Sequence, residues 1–137
     1  MKTKYQILAL AATLVFCVNC GDDSDQSVIF GTWRGQSVEY FDCADPGNER
    51  TDPCPSNACY VLTLNDDVNK TYTLTRNLDG NPISEAGSYT ATGSTLELCP
   101  IGGSCTTFPI KLSGTTMTIE QPASDVDCTI RVELNRD

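Results

Sequence analysis

Six cysteines, Cys43, Cys54, Cys59, Cys99, Cys105 and Cys128, are the residues of this chain best placed for covalent chemistry. Their spacing narrows what that chemistry is. The chain has no histidine, and none of these six stands in a Cys-x-x-Cys pair, which removes the common zinc patterns and the thioredoxin-like redox motif for this set. An even set of cysteines in an exported chain reads as disulfides, so three bridges are expected. Without histidine there is no Ser-His-Asp triad and no ordinary base near neutral pH. Asp66-Asp67 and the Asp125/Asp127 pair offer the two carboxylates a glycosidase uses, but both stand at turns, where acidic residues serve the turn itself. Asp42, Asp45, Glu49 and Asp52 could surround calcium, yet their spacing matches no EF-hand loop, and a solvated acidic loop is expected. No catalytic residue, metal set or cofactor is expected.

Cys20 differs from the other six because of its flanks. Met1-Lys2-Thr3-Lys4 precedes an apolar run from Ile7 to Val18, and Gly21-Asp22-Asp23-Ser24-Asp25 follows the cysteine. A basic start, an apolar middle and a cysteine at the cut resemble a bacterial lipoprotein leader. That resemblance implies cleavage after residue 19, lipid on Cys20 and a short acidic tether over 20–29. Leu14 stands three residues before Cys17 and makes it the alternative, but Phe16 is bulky for the position beside the cut. The apolar run is about a dozen residues, short of the roughly 20 a spanning helix needs. The expected location is therefore an exported protein held on the bacterial outer membrane, at its periplasmic or outer face, by lipid. The leader takes Lys2 and Lys4 with it, leaving seven basic residues against 18 acidic ones, a net charge of −11. Such a surface does not follow a phosphate backbone, so nucleic acid is excluded as a partner.

From Phe30 onward the chain alternates polar and apolar residues in short segments divided by turns, the pattern of an all-β domain. Strands are expected near 30–41, 58–65, 70–76, 85–92, 94–99, 104–112, 115–121 and 126–135. Their period-2 apolar sets include Tyr60-x-Leu62-x-Leu64, Tyr72-x-Leu74, Leu96-x-Leu98, Phe108-x-Ile110-x-Leu112 and Ile130-x-Val132-x-Leu134. No window carries a helical apolar stripe over three turns. Eight short-linked strands suit an up-and-down antiparallel barrel over 30–137, with a two-sheet sandwich as the alternative. In such a barrel the links after odd-numbered strands share one end, and all six cysteines flank those links. Cys99 and Cys105 bracket a Gly-rich loop and should bond to each other. Among the other four, Cys43–Cys128 with Cys54–Cys59 is favoured, because the first and last strands meet where the barrel closes. The long link 42–57 is then expected to be pinned over that rim.

Phe30-Gly31-Thr32-Trp33 carries the Gly-x-Trp that opens the first strand of lipocalins. With Lys70-Thr71-Tyr72-Thr73-Leu74, Ala86-Gly87-Ser88-Tyr89-Thr90 and Thr92-Gly93-Ser94-Thr95-Leu96, the chain resembles bacterial lipocalin-like lipoprotein domains over about 29–135. The resemblance implies a non-catalytic monomer that binds a small apolar ligand inside the barrel. It also implies an arginine of the last strand over the tryptophan, for which Arg131 is the candidate, with Gly31 and Trp33 as fold motif. Tyr60, Leu62, Tyr72, Leu74, Tyr89, Leu96, Phe108, Ile110, Met117 and Ile130 are the candidate lining. The same residues would also serve as plain core. The other function class is a protein-interaction or inhibitor module, against a lysozyme or protease for example, working through the acidic stapled rim. A cavity of several hundred cubic ångströms favours the ligand; a filled interior favours the rim.

Overall fold

The computed structural model describes residues 29–54, 59–77, 81–123 and 126–137, so the leader, Cys20 and the tether to residue 28 lie outside the described residues. The strands are β1 (Gly31–Phe41), β2 (Arg50–Pro53), β3 (Tyr60–Leu64), β4 (Thr71–Arg76), β5 (Ile83–Ala91), β6 (Thr95–Pro100), β7 (Thr106–Ser113), β8 (Thr116–Pro122) and β9 (Thr129–Arg136). Each pairs antiparallel with its neighbour from β3 to β9, and β1 pairs with both β3 and β9. The eight long strands therefore close into the expected barrel. The only described helix is a 3-10 turn at Pro46–Asn48.

β2 is a ninth strand that the alternation pattern did not predict. It lies within the 42–57 link and pairs with the upper half of β1, from Ser37↔Pro53 to Tyr40↔Arg50. All four of its residues are exposed, so no apolar alternation marked it. The described part of the link is tied down further, with Ala44 N–H donating to Asp127 C=O at 2.9 Å and Cys54 N–H to Gln36 C=O at 2.8 Å.

β1 also shifts phase along its length. Trp33 and Gly35 face inward below, and Val38 faces inward above, because Gln36 is an extra residue between Gly35↔Leu134 and Ser37↔Glu133. Such a bulge bends a strand and raises its twist. Here it frees the Gln36 carbonyl to hold Cys54.

The core runs down the barrel axis. Trp33, Leu62, Leu64, Tyr72, Leu96, Met117 and Leu134 are all at most 1% exposed. Burial of each aliphatic side chain contributes about 1.5–3 kcal/mol before chain entropy is charged against it. The lower end is closed from outside the strands as well. The Trp33 indole N–H donates to the Ile29 carbonyl at 2.7 Å, and Ile29 is itself buried. Gly31 holds φ +129°, a region that favours glycine, as the chain turns into β1 below Trp33.

One glycine sets a close approach between strands. A Cβ built on Gly87 would lie 2.0 Å from the Cys99 carbonyl oxygen across the β5–β6 ladder. Gly87→Ala should push these strands apart beside the Cys99–Cys105 bridge, costing about 1–3 kcal/mol as overpacking does. Urea unfolding of the variant reads this as a lower midpoint.

Candidate functional site

All three expected disulfides form: Cys43–Cys128, Cys54–Cys59 and Cys99–Cys105. They flank the links leaving the tops of β1, β6 and β8, and so staple one rim. The opposite rim, with the β3–β4, β5–β6 and β7–β8 turns, has none among the described residues. On that lower rim Asp66 pairs with Lys70, while Asp67 accepts from the hydroxyl and backbone N–H of Thr71. The first carboxylate pair is thereby spent on a turn. The Thr71 hydroxyl, then backbone N–H groups, hold the Asp67 carboxyl below its usual range.

The stapled rim opens into a cavity of about 160 Å³. Its floor and walls are Leu62, Leu74, Leu98, Phe108, Ile119, Val132 and Leu134, and its collar is Tyr60, Arg76, Glu85, Pro100, Thr106 and Gln121. Period-2 alternation aims these residues inward, and the strand ends at the rim supply the polar collar. Arg76 pairs with Glu85 at 3.4 Å, and Glu85 also accepts from the Tyr72 hydroxyl at 3.2 Å. Arg76 Nε is buried with no hydrogen-bond partner. The site is thus an apolar pit under a collar with one cation, one anion and several hydroxyl or amide groups.

Of the ten expected lining residues, Tyr60, Leu62, Leu74 and Phe108 line this cavity. Tyr72, Tyr89, Leu96, Ile110, Met117 and Ile130 are buried but do not line it; they pack as core. Expectation missed Arg76, Glu85, Thr106 and Gln121, because a search for apolar inward residues passes over polar ones at the same phase. Asp42, Asp45, Glu49 and Asp52 are exposed on the stapled rim. Asp45 caps the Gly47 N–H at 2.9 Å and Asp52 pairs with Arg50 at 2.9 Å. One cluster of metal-capable types, Glu97 with Cys99 and Cys105, has both sulfurs committed to a disulfide.

The arginine over Trp33 is Arg136 and not Arg131. Its guanidinium lies 4.8 Å from the ring centroid and donates to the Phe30 carbonyl at 2.6 Å. The register sets Trp33 opposite Arg136, while Arg131 falls opposite Glu39 near the other end of β1. There Arg131 faces outward, bonds Glu39 and Glu120 at 2.8 and 2.9 Å, and lies 4.5 Å from the Phe41 ring. Glu120 first, then Glu39, raise the Arg131 pKa. The arginine-on-tryptophan lid exists, one strand end away from where it was expected.

Burial raises the phenol pKa of Tyr60, Tyr72 and Tyr89. Tyr72 is pushed up to about 12, first by burial and then by the Glu85 carboxylate. A phenol near 10 in the unfolded chain and near 12 in the fold stabilises the fold while it stays protonated. That contribution is whole below pH 10 and disappears as pH climbs through 12. Unfolding midpoints should fall above pH 10, with phenolate absorbance at Tyr72 appearing late; Tyr72→Phe should flatten the alkaline loss.

The lipocalin-like domain family model matches residues 29–119, from the lower-rim plug through most of β8. No curated protein and no solved structure matches the chain. The matched span covers more than half of the sequence and seven of the eight barrel strands, with β9 closing the barrel beyond it. The chain belongs to the lipocalin-like domain family.

Proposed function

We propose that this is an exported, lipid-anchored, non-catalytic binding protein that holds a small apolar ligand in the cavity under its stapled rim. The observation that carries this reading is the pairing of an apolar pit with a polar collar at one open end of the barrel. Ligand sites share that plan: apolar walls give affinity and a few polar groups fix orientation. The cavity of about 160 Å³ lies below the usual range for drug-sized ligands, which sets the occupant's size. Dry cavities of about 150 Å³ lined by Leu, Ile and Phe accept bodies the size of benzene. The ligand is thus a compact apolar group of about six to ten heavy atoms, carrying a polar head that meets Arg76, Thr106 or Gln121.

Calorimetry of the full chain with straight-chain alcohols of rising length tests this. Affinity should climb by about 0.8 kcal/mol per methylene while the tail still finds cavity, then level off. No binding at any length would sink the reading. The anchor rests on the leader and is tested separately. Cys20→Ala should move the protein from the membrane fraction to the soluble one and abolish palmitate labelling. Membrane association that survives in Cys20→Ala would contradict it.

A further inference from the structure

The barrel wall lacks its ladder between the upper halves of β7 and β8. The β7–β8 ladder runs only from Ser113↔Thr116 to Ile110↔Ile119, yet β7 continues up to Thr106 and β8 to Pro122. Carrying the same register upward would set Pro109 against Glu120 and Thr107 against Pro122. Ile110 N–H donates to Ser94 C=O on the β6 side at 2.9 Å, so alternation turns the Thr107 and Pro109 backbones toward β8. Likewise Arg136 N–H to Thr115 C=O and Ala123 N–H to Cys128 C=O place the odd residues of β8 toward β9, so Glu120 and Pro122 face β7. Both missing pairs are therefore the kind that exchanges two N–H···O bonds, and in each a proline has no N–H to give. The disulfides reinforce the split, since Cys99–Cys105 ties the top of β7 to β6 and Cys43–Cys128 ties β9 to β1.

What lies in the seam is a groove in the sheet. Its lining mixes the outward residues Thr107, Pro109 and Glu120 with the inward residues Thr106, Phe108 and Gln121, and these last three also line the internal cavity. The groove volume is about 260 Å³.

We propose that this seam docks an extended peptide strand of a partner protein, which lays its backbone along the open edges and sends one large apolar side chain through the wall into the cavity. The open edges offer Thr107 and Glu120 N–H groups and the Pro109 and Pro122 carbonyls, which a peptide backbone satisfies and an acyl chain does not. The internal cavity of about 160 Å³ suits a single Phe or Leu side chain. Alternation along an added strand brings every second side chain to the inner face, so one anchor with small neighbours fits. This goes beyond the small-ligand reading, since a small ligand needs only the rim opening.

The probe is a display library of heptapeptides with a central Phe or Leu, selected on the purified full chain. The double variant Pro109→Thr/Pro122→Thr restores both missing donors and should zip the seam, and Gln121→Trp blocks the passage independently. Near-UV circular dichroism checks that both fold. Enriched peptides should bind each variant about tenfold or more weakly than the parent, and lose as much on central Phe→Ala, as a buried anchor does. Toluene reaching the cavity from the rim should still bind the zipped variant, which separates failure here from failure of the small-ligand reading. Equal binding of the peptides to parent and zipped chain would overturn the proposal, as would a library without enrichment. If instead decanoate shifts the Thr107 and Glu120 amide resonances while no peptide is enriched, the occupant is an acyl chain and the proposal is wrong.

Discussion

Replacing Cys43 and Cys128 together by alanine should lower stability by about 4–5 kcal/mol, the largest loss among the three bridges. This bridge joins positions 85 apart in sequence, against 5 for Cys54–Cys59 and 6 for Cys99–Cys105. Loop-closure entropy of the unfolded chain grows with the logarithm of that separation, so each short bridge contributes only about 2 kcal/mol. The long bridge also stands just above the β1–β9 closure, where Phe41 pairs with Thr129. Urea unfolding of the three double-alanine variants gives the ranking directly. Equal losses from all three would show that strain or residual structure in the unfolded chain, rather than loop length, governs the effect.

Trp33→Ala should cost about 3–5 kcal/mol, since it leaves a large void in a packed region. The indole is fully buried, and its N–H is the partner of the Ile29 carbonyl that caps the lower end. Its loss also removes the ring beneath Arg136, a cation–π contact of about 0.5–2 kcal/mol. Arg136→Met keeps most of the apolar cover and should cost far less. A Trp33→Ala loss under about 1 kcal/mol would mean that the lower plug relaxes into the space.

Most of the barrel was legible because one face of each long strand is apolar at period 2, and slipping any strand by one residue would expose that set. The Cys99–Cys105 pair was legible from the Gly-rich loop it brackets, and Cys43–Cys128 with Cys54–Cys59 from the meeting of the first and last strands where the barrel closes. β2 was not legible, because a wholly exposed strand of Arg, Thr, Asp and Pro leaves no alternation. Arg136 was within reach. Equal steps down β1 and β9 from Cys43 and Cys128 arrive near the C-terminal end, and only the choice of a mid-strand arginine put Arg131 there. The seam was visible in part as Pro109 and Pro122, but their meaning needs the register, which decides whether a proline removes a rung or faces the other neighbour. The collar was hidden for another reason: Arg76, Glu85 and Gln121 hold inward positions at strand ends, where polarity alone reads as surface.

Ligand binding requires that the cavity take a guest. Methyl-resolved NMR of the full chain during titration with toluene tests this most directly, with Leu74→Trp as a filled control. Saturable shifts are expected at the methyls of Leu62, Leu74, Leu98, Ile119, Val132 and Leu134, with Met117 and Leu64 beneath the cavity floor unmoved, and no shifts in Leu74→Trp. Toluene shifts that never saturate, or that persist unchanged in the filled variant, would contradict it.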